Sequence, residues 1–293
     1  MKIIVARHLG LCFGVRDAIA HAQTIADHRP LTILGELVHN PVVREQLRGR
    51  GIEEGSLDDP QPRTRTIMIT AHGASDKQRE KWSAAGYHVA DATCPLVRHA
   101  HEQLKRLVAD GFFPVVIGKR GHVEVRGLTE DFPECFVLEE AGQVCDLPYA
   151  KRYGIISQTT QPSDRVRDLL NTVARRYPHA ELRFVDTVCR PTKDRQTALQ
   201  MLIAEADCIV VVGGRNSNNT RQLVQACRKA GRHTIHIERP EEIRPTDFIG
   251  AAVVGLTAGT STLPETIEAV RQRLEQISSD KILNREPINP RYP

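Results

Sequence analysis

Short apolar runs alternate along the chain with longer stretches whose apolar residues recur every three or four positions. The runs predict strands over Lys2–Ala6, Leu31–Gly35, Thr66–Thr70, Tyr87–Ala90, Pro114–Gly118, Tyr153–Gln158, Phe184–Val188, Cys208–Gly214, His233–Glu238 and Ala251–Thr257. The stretches between them predict helices over Val15–Ala26, Pro41–Arg50, Lys77–Ala85, Val97–Ala109, Pro162–Tyr177, Arg195–Glu205, Thr220–Gly231 and Pro264–Ile277. Parallel strands need a crossover connection, so this alternation reads as an α/β fold with mainly parallel sheets. Glu53–Arg65 is polar, carries two prolines and predicts a surface loop. From Asp280 to Pro293 the pattern fades and three prolines appear.

Three cysteines stand where a predicted strand gives way to a helix: Cys12, Cys94 and Cys189. Pro95 follows Cys94 and suits a first helical turn. A thiol at a helix start feels the positive end of the helix, which favours its ligating form. The near-equal intervals between the three suggest three similar modules converging on one centre. Boundaries placed at the cysteines give modules over residues 13–94, 95–189 and 190–280 joined by 1–12, with a tail over 281–293.

Polar clusters follow the other strand ends. They contain His39 and Asn40, His72, His122 and Glu124, Thr159, Ser217-Asn218-Asn219, and Ser261. Taken singly, each reads as a helix cap or a structural histidine. Strand ends of parallel sheets share a face, so the clusters can converge. Imidazoles, hydroxyls and helix N-termini together describe a diphosphate pocket. Neither a Walker loop nor a dinucleotide fingerprint is present, so nucleotide hydrolysis and dinucleotide binding lose weight.

Composition narrows the chemistry further. At 293 residues, 40% hydrophobic and 26% charged, the chain belongs with ordinary globular proteins. No apolar run approaches a membrane span, and the opening strand is too short for a signal peptide, so the expectation is a cytoplasmic protein with no membrane partner. The net charge of +4 suits a small anion, and the aromatic share of 4% argues against a nucleic-acid surface. Seven cysteines with no CxxC point away from a disulfide framework and towards metal or redox chemistry. Cys208 and Cys227 sit in apolar surroundings and read as small core residues, while Cys135 and Cys145 take no role. Three thiolates without a fourth suit a [4Fe-4S] cluster with one iron left open. Zinc is the competing reading, weakened by the absence of short paired Cys/His spacings.

Gly10-Leu11-Cys12-Phe13-Gly14-Val15, His39-Asn40, Ala71-His72-Gly73, Asp91-Ala92-Thr93-Cys94-Pro95, Gly121-His122-Val123-Glu124-Val125, Gln158-Thr159-Thr160, Thr187-Val188-Cys189, Asn216-Ser217-Asn218-Asn219 and Thr257-Ala258-Gly259-Thr260-Ser261 occur in a fixed order. In that order the chain resembles the 4-hydroxy-3-methylbut-2-enyl diphosphate reductase (LytB/IspH) family from Cys12 to Ser261. The resemblance implies a trefoil of three α/β modules around a central cluster held by Cys12, Cys94 and Cys189. It implies that His39, His72, His122, Ser217, Asn218, Asn219 and Ser261 hold the diphosphate of an allylic substrate. Glu124 would manage protons and Thr159 would lie near the substrate hydroxyl. Electrons would come from ferredoxin or flavodoxin. A divergent Fe–S paralogue, acting on another allylic diphosphate or sensing redox state, fits the same residues. The expected placement of His122 and Glu124 on one face assumes that Gly121–Val125 is extended.

Overall fold

A computed structural model describes residues 1–59 and 61–283. Its elements in chain order are β1 (Lys2–Val5), α1 (Phe13–Ala26), β2 (Leu31–Leu34), α2 (Pro41–Gly49), β3 (Glu53–Gly55), β4 (Thr66–Ile69), α3 (Asp76–Ala84), β5 (His88–Asp91) and α4 (Pro95–Ala109). They continue as β6 (Phe113–Ile117), α5 (Val123–Thr129), β7 (Phe136–Leu138), β8 (Arg152–Ser157), α6 (Ser163–Arg176), β9 (Glu181–Phe184) and α7 (Arg190–Glu205). The last are β10 (Cys208–Val212), α8 (Asn218–Lys229), β11 (His233–Ile237), β12 (Val253–Ala258) and α9 (Pro264–Leu283). The expected tail begins inside α9, and residues 284–293 lie outside the described residues.

The strands form three four-stranded sheets, ordered β3-β2-β4-β5, β7-β6-β8-β9 and β11-β10-β12-β1, and all their pairings are parallel. Strands can be counted along the chain within each module, with β1 closing the third sheet as its fourth strand. All three sheets then share the order 2-1-3-4. The fold is therefore three α/β modules of one topology. Two compact units contain them: Cys12–Lys193 holds the first two sheets, and Met1–Leu11 with the chain from Asp194 holds the third.

The central strands are buried along almost their whole length because helices cover both faces. In the β6–β8 sheet, Val115, Ile117, Tyr153 and Ile155 pack with Val166, Leu169 and Val173 of α6. Val116 and Ile156 point the other way, against Leu104 and Leu107 of α4 and Val125 and Leu128 of α5. In the third sheet, Val210, Val212, Val254 and Leu256 meet Val270, Leu274 and Ile277 of α9. Ile209 and Val211 meet Leu199 of α7 and Leu223 and Val224 of α8. Cys208 and Cys227 are buried in these two cores, as small apolar residues are.

Local departures from the sequence pattern have physical causes. Within the expected loop Glu53–Arg65, Glu53–Gly55 forms an edge strand on β2. The expected strand Phe184–Val188 stops at Phe184 because side chains take over the backbone bonding. Asp186 Oδ1 accepts from Val188 N at 3.1 Å, and Thr187 Oγ1 accepts from Ser157 N at 2.9 Å. Gly121–Val125 is not extended, since α5 begins at Val123. Its β-branched residues and Gly127 are poor helix formers, so it is held by burial of Val125 and Leu128 and by its cap.

Candidate active site

An order of 2-1-3-4 reverses direction between the first and third strands. The crevice outside their carboxyl ends is where open α/β sheets bind ligands. The expected non-cysteine residues all come from the loops or first helical turns after these two strands. His39 follows β2 and His72 follows β4; His122 and Glu124 follow β6 and Thr159 follows β8; Ser217, Asn218 and Asn219 follow β10 and Ser261 follows β12. Each cysteine follows the fourth strand of a sheet: Cys12 after β1, Cys94 after β5 and Cys189 after β9. The helices after the first strands carry matching caps. Asn40 Oδ1 accepts from Val42 N at 2.9 Å, His122 Nδ1 from Glu124 N at 3.2 Å, and Ser217 Oγ from Thr220 N at 3.3 Å.

His39, His72 and His122 pack ring against ring, with centroids 5.0 Å apart for the first two and 6.0 and 5.4 Å for their contacts with His122. All three rings are half-buried, and His72 buries one ring nitrogen completely. Burial, then the neighbouring His39 and His122, hold it well below the ordinary histidine range. Its Nε2 is buried without a hydrogen-bond partner. Three imidazoles gathered this tightly, one with an orphaned polar atom, suit an anionic ligand that completes their bonding.

His122 joins this cluster to Glu124, the second residue of α5. The Glu124 carboxyl is 1% exposed, and its Oε1 accepts from Thr159 N at 2.6 Å. Burial raises it to about 7, against the bonds from Thr159, which lower it. A carboxyl that titrates near neutral pH can both hold and release a proton there. The Thr159 carbonyl accepts from Cys189 N at 2.9 Å. One peptide segment thus ties the acid to a cysteine.

Cys12 and Cys94 occupy N-cap positions of α1 and α4, and Cys189 directly precedes α7. Neither Cys12 nor Cys94 closes a side-chain cap bond. The amides of Leu96 and Val97 do favour the Cys94 thiolate, as a helix start should. Burial outweighs them and pushes the Cys94 thiol up, with Cys12 and Glu124 adding to the rise. Burial likewise pushes Cys189 to about 11, against the Thr192 bonds and with Glu124 and Cys12 reinforcing it. These partly buried thiols, with Cys12 close enough to oppose the ionisation of the other two, are a donor set that a cationic centre would stabilise. Gly14 leaves the space that the Cys94 sulfur fills, since a Cβ there would overlap it.

In the other unit, Ser217 caps α8, and the buried Asn218 and Asn219 form its first turn. Asn219 Oδ1 accepts from Thr260 N at 3.0 Å, beside the buried Ser261. These four residues therefore gather around one strand-end crevice of their own sheet.

Some residues that shape the site were not singled out by the sequence. Glu36 lies 2.7 Å from His39 Nδ1. Arg79 of α3 bonds the Ala74 carbonyl, Thr93 Oγ1 at 3.1 Å and Asp91 Oδ2 at 3.2 Å. It thereby ties the loop of His72 to the loop of Cys94. Such partners have no local signature, because their targets lie elsewhere in the chain. Glu36 alone had one, three residues before His39.

Among the described residues, no group of three or more His, Cys, Asp or Glu is arranged to hold a metal ion. A cubane cluster makes a different demand, one thiolate for each of several irons rather than convergence on one ion. Nor is any helix of the described residues long and apolar enough to cross a membrane.

Comparison with known proteins extends these observations to the whole chain. The LytB protein family matches residues 3–275. A 4-hydroxy-3-methylbut-2-enyl diphosphate reductase of Anaeromyxobacter sp. (strain Fw109-5) is 34% identical over 92% of this chain and 95% of its own. A solved (E)-4-hydroxy-3-methyl-but-2-enyl diphosphate reductase, described as the terminal enzyme of the non-mevalonate pathway, is 31% identical. It superposes with a TM-score of 0.68 over 94% of this chain and 100% of its own. The E-1-hydroxy-2-methyl-but-2-enyl-4-diphosphate reductase of Plasmodium falciparum shares the fold, with a TM-score of 0.85, 24% identity and coverage of 98% and 89%.

Proposed function

The chain belongs to the LytB protein family, and on that premise we propose that it is a 4-hydroxy-3-methylbut-2-enyl diphosphate reductase working in the cytoplasm. The reaction removes the allylic hydroxyl as water, consumes two electrons and two protons, and yields isopentenyl and dimethylallyl diphosphate. The observation that carries this reading is the buried Glu124 carboxyl, raised to about 7 and close enough to Cys94 and Cys189 to oppose their ionisation.

Cys12, Cys94 and Cys189 would hold a [4Fe-4S] cluster. When bound, such a cluster supplies electrons, drawn from ferredoxin or flavodoxin, and an iron free of protein ligands. The protein's own groups do the remaining work. His39, His72 and His122 bind the diphosphate, and Ser217, Asn218, Asn219 and Ser261 offer neutral donors at the strand-end crevice of their own sheet. Glu124 gives a proton to the departing hydroxyl oxygen, and the Thr159 amide holds its carboxyl in place. A hydroxyl leaves poorly as hydroxide and readily as water, so this proton lowers the barrier. Thr159 orients the substrate hydroxyl.

The test is iron and sulfide analysis after anaerobic purification, followed by turnover of the allylic diphosphate with a chemical reductant. Four iron and four sulfide per chain with isoprenoid products support the reading. A full cluster without turnover moves the assignment to a paralogue, and zinc removes the three-cysteine centre altogether.

A further inference from the structure

The three clustered imidazoles come from two sheets. His39 and His72 follow strands of the first, and His122 caps α5 of the second. Their contacts therefore depend on how α5 meets the first sheet's loops. The helix packs on both sides. Val125 and Leu128 enter the core of their own sheet. Val123 packs against the core of the first, the cluster of Leu34, Ile69, Ala74 and Trp82. Gly127, one turn after Val123, lies on that same side of the helix and meets the Ala74 backbone. A Cβ on Gly127 would stand 3.3 Å from Ala74 Cα and 3.4 Å from Ala74 N and C.

His122 and Gly127 are fixed relative to one another by α5, and Ala74 is two residues from His72. The two rings, with centroids 5.4 Å apart, thus hang from opposite sides of one contact. We propose that Gly127 is a positioning residue: by admitting the Ala74 backbone against α5, it sets the spacing of His72 and His122 and with it the fit of the trio to a diphosphate. This inference rests on the diphosphate reading above.

The junction is stitched beyond the glycine. Glu130 Oε2 accepts from Ser75 Oγ at 2.8 Å, and the Glu130 carbonyl accepts from Lys77 Nζ at 3.0 Å. Asp131 accepts from the first two amides of α3, Asp76 N at 2.8 Å and Lys77 N at 3.1 Å. A carboxylate there complements the positive end of the helix. Arg126 forks onto Asp58, in the loop after β3, at 3.0 and 2.8 Å. On its other flank the His72 loop is backed by the start of α4. A Cβ on Gly73 would meet Thr93 Cγ2 at 3.1 Å and Val97 Cγ1 at 3.3 Å. The loop is held on both flanks, so a methyl added at Gly127 is not absorbed by loose packing and widens the junction.

The experiment is calorimetric titration of the anaerobic holoenzyme with inorganic pyrophosphate, for the wild type, Gly127→Ala, Asp131→Ala and Asp131→Asn. A misplacement of about 1 Å costs about 10²-fold, so a few tenths of an ångström in Gly127→Ala should weaken binding about fivefold. The urea midpoint of that variant should stay near the wild-type value, because alanine is the better helix former and offsets part of the overpacking. In turnover KM should rise by more than kcat falls, since the trio spans the junction whereas Glu124 and Thr159 lie on one side of it. Asp131→Ala, which loosens the junction without adding volume, should weaken binding less. Asp131→Asn keeps an oxygen for the α3 amides and should restore most of that loss. Wild-type affinity in a folded Gly127→Ala overturns the role of Gly127 while leaving the diphosphate reading intact. If that variant does not fold, wild-type affinity in Asp131→Ala overturns it in the same way. A wild-type protein that neither binds pyrophosphate nor turns over the allylic diphosphate removes both.

Discussion

The crevice of the β6–β8 sheet and that of the β10–β12 sheet are built alike and do different work. In each, the second residue of a capped helix accepts a hydrogen bond from the second residue beyond the third strand. In one the pair is Glu124 and Thr159 N at 2.6 Å; in the other it is Asn219 and Thr260 N at 3.0 Å. The scaffold supplies the same geometry twice. A carboxyl in that position, buried and raised to about 7, is a proton carrier. An amide in the same position is a fixed dipole that cannot titrate near neutral pH. Fold position and chemical role are thus separable, and the difference rests on one side chain.

Glu124→Gln breaks the comparison most directly. The amide keeps an acceptor for Thr159 N but has no proton to give, so turnover should fall by about 10²–10⁴-fold, with cluster iron retained. Stability should move the other way. The folded protein holds the Glu124 proton to about 7, above the ordinary value of 4.5, so this group favours folding most below pH 4.5. Its contribution is lost as pH rises through 7, a change on the order of 3 kcal/mol. Urea unfolding at a series of pH values should therefore show a shallower decline between pH 4.5 and 7 in the variant than in the wild type. Full activity in Glu124→Gln would remove its proton role, and parallel pH curves would deny its burial penalty.

The next difference lies in how tightly the β10–β12 crevice is closed compared with that of the β2–β4 sheet. A glycine follows the first strand in every module: Gly35, Gly118 and Gly213. Gly213 has φ +146°, and a Cβ there would meet Thr220 Oγ1 at 2.7 Å and Thr262 Oγ1 at 2.9 Å. Gly35 has φ +111° but only Thr70 Cγ2 nearby, at 3.9 Å. Gly213→Ala should cost about 2–4 kcal/mol, from strain and overpacking together. Gly35→Ala should lose about 1–3 kcal/mol from strain alone. Urea midpoints of the two variants check the order; a Gly35 variant as unstable as the Gly213 one would mean that the Thr220 contact does not matter.

The sequence made much of this architecture legible. Strand ends, helix starts and the placing of Cys12, Cys94 and Cys189 at strand-to-helix junctions followed from apolar periodicity and from Pro95. The shared 2-1-3-4 order did not, because β3 and β7 have three residues each and the fourth strand of the third sheet is supplied by the start of the chain. Short edge strands leave almost no periodic signal. The helix of Glu124 was hidden by Val123, Val125, Gly127 and Thr129, whose propensities are overridden by burial. Arg79 acts through contacts with Thr93 and Asp91, distant in sequence, which a linear pattern does not contain.

Asn219 tests the comparison from its other side, with the smallest effect. Asn219→Ala leaves Thr260 N without its acceptor at a buried turn, and should cost about 1–3 kcal/mol at any pH. Asn219→Asp keeps the acceptor but places a carboxyl where only 4% of the residue is exposed. Burial then raises that carboxyl as it raises Glu124, so the protein must hold it protonated or bear a buried charge. The Asp variant should match the wild type in acid and weaken as pH rises through neutrality, whereas the Ala variant should be offset by a constant amount. Urea midpoints at pH 5 and pH 8 separate the two. If Asn219→Asp shows no pH-dependent loss, the two crevices differ in solvent access as well as in side chain, and the near-neutral carboxyl of Glu124 cannot be credited to a geometry they share.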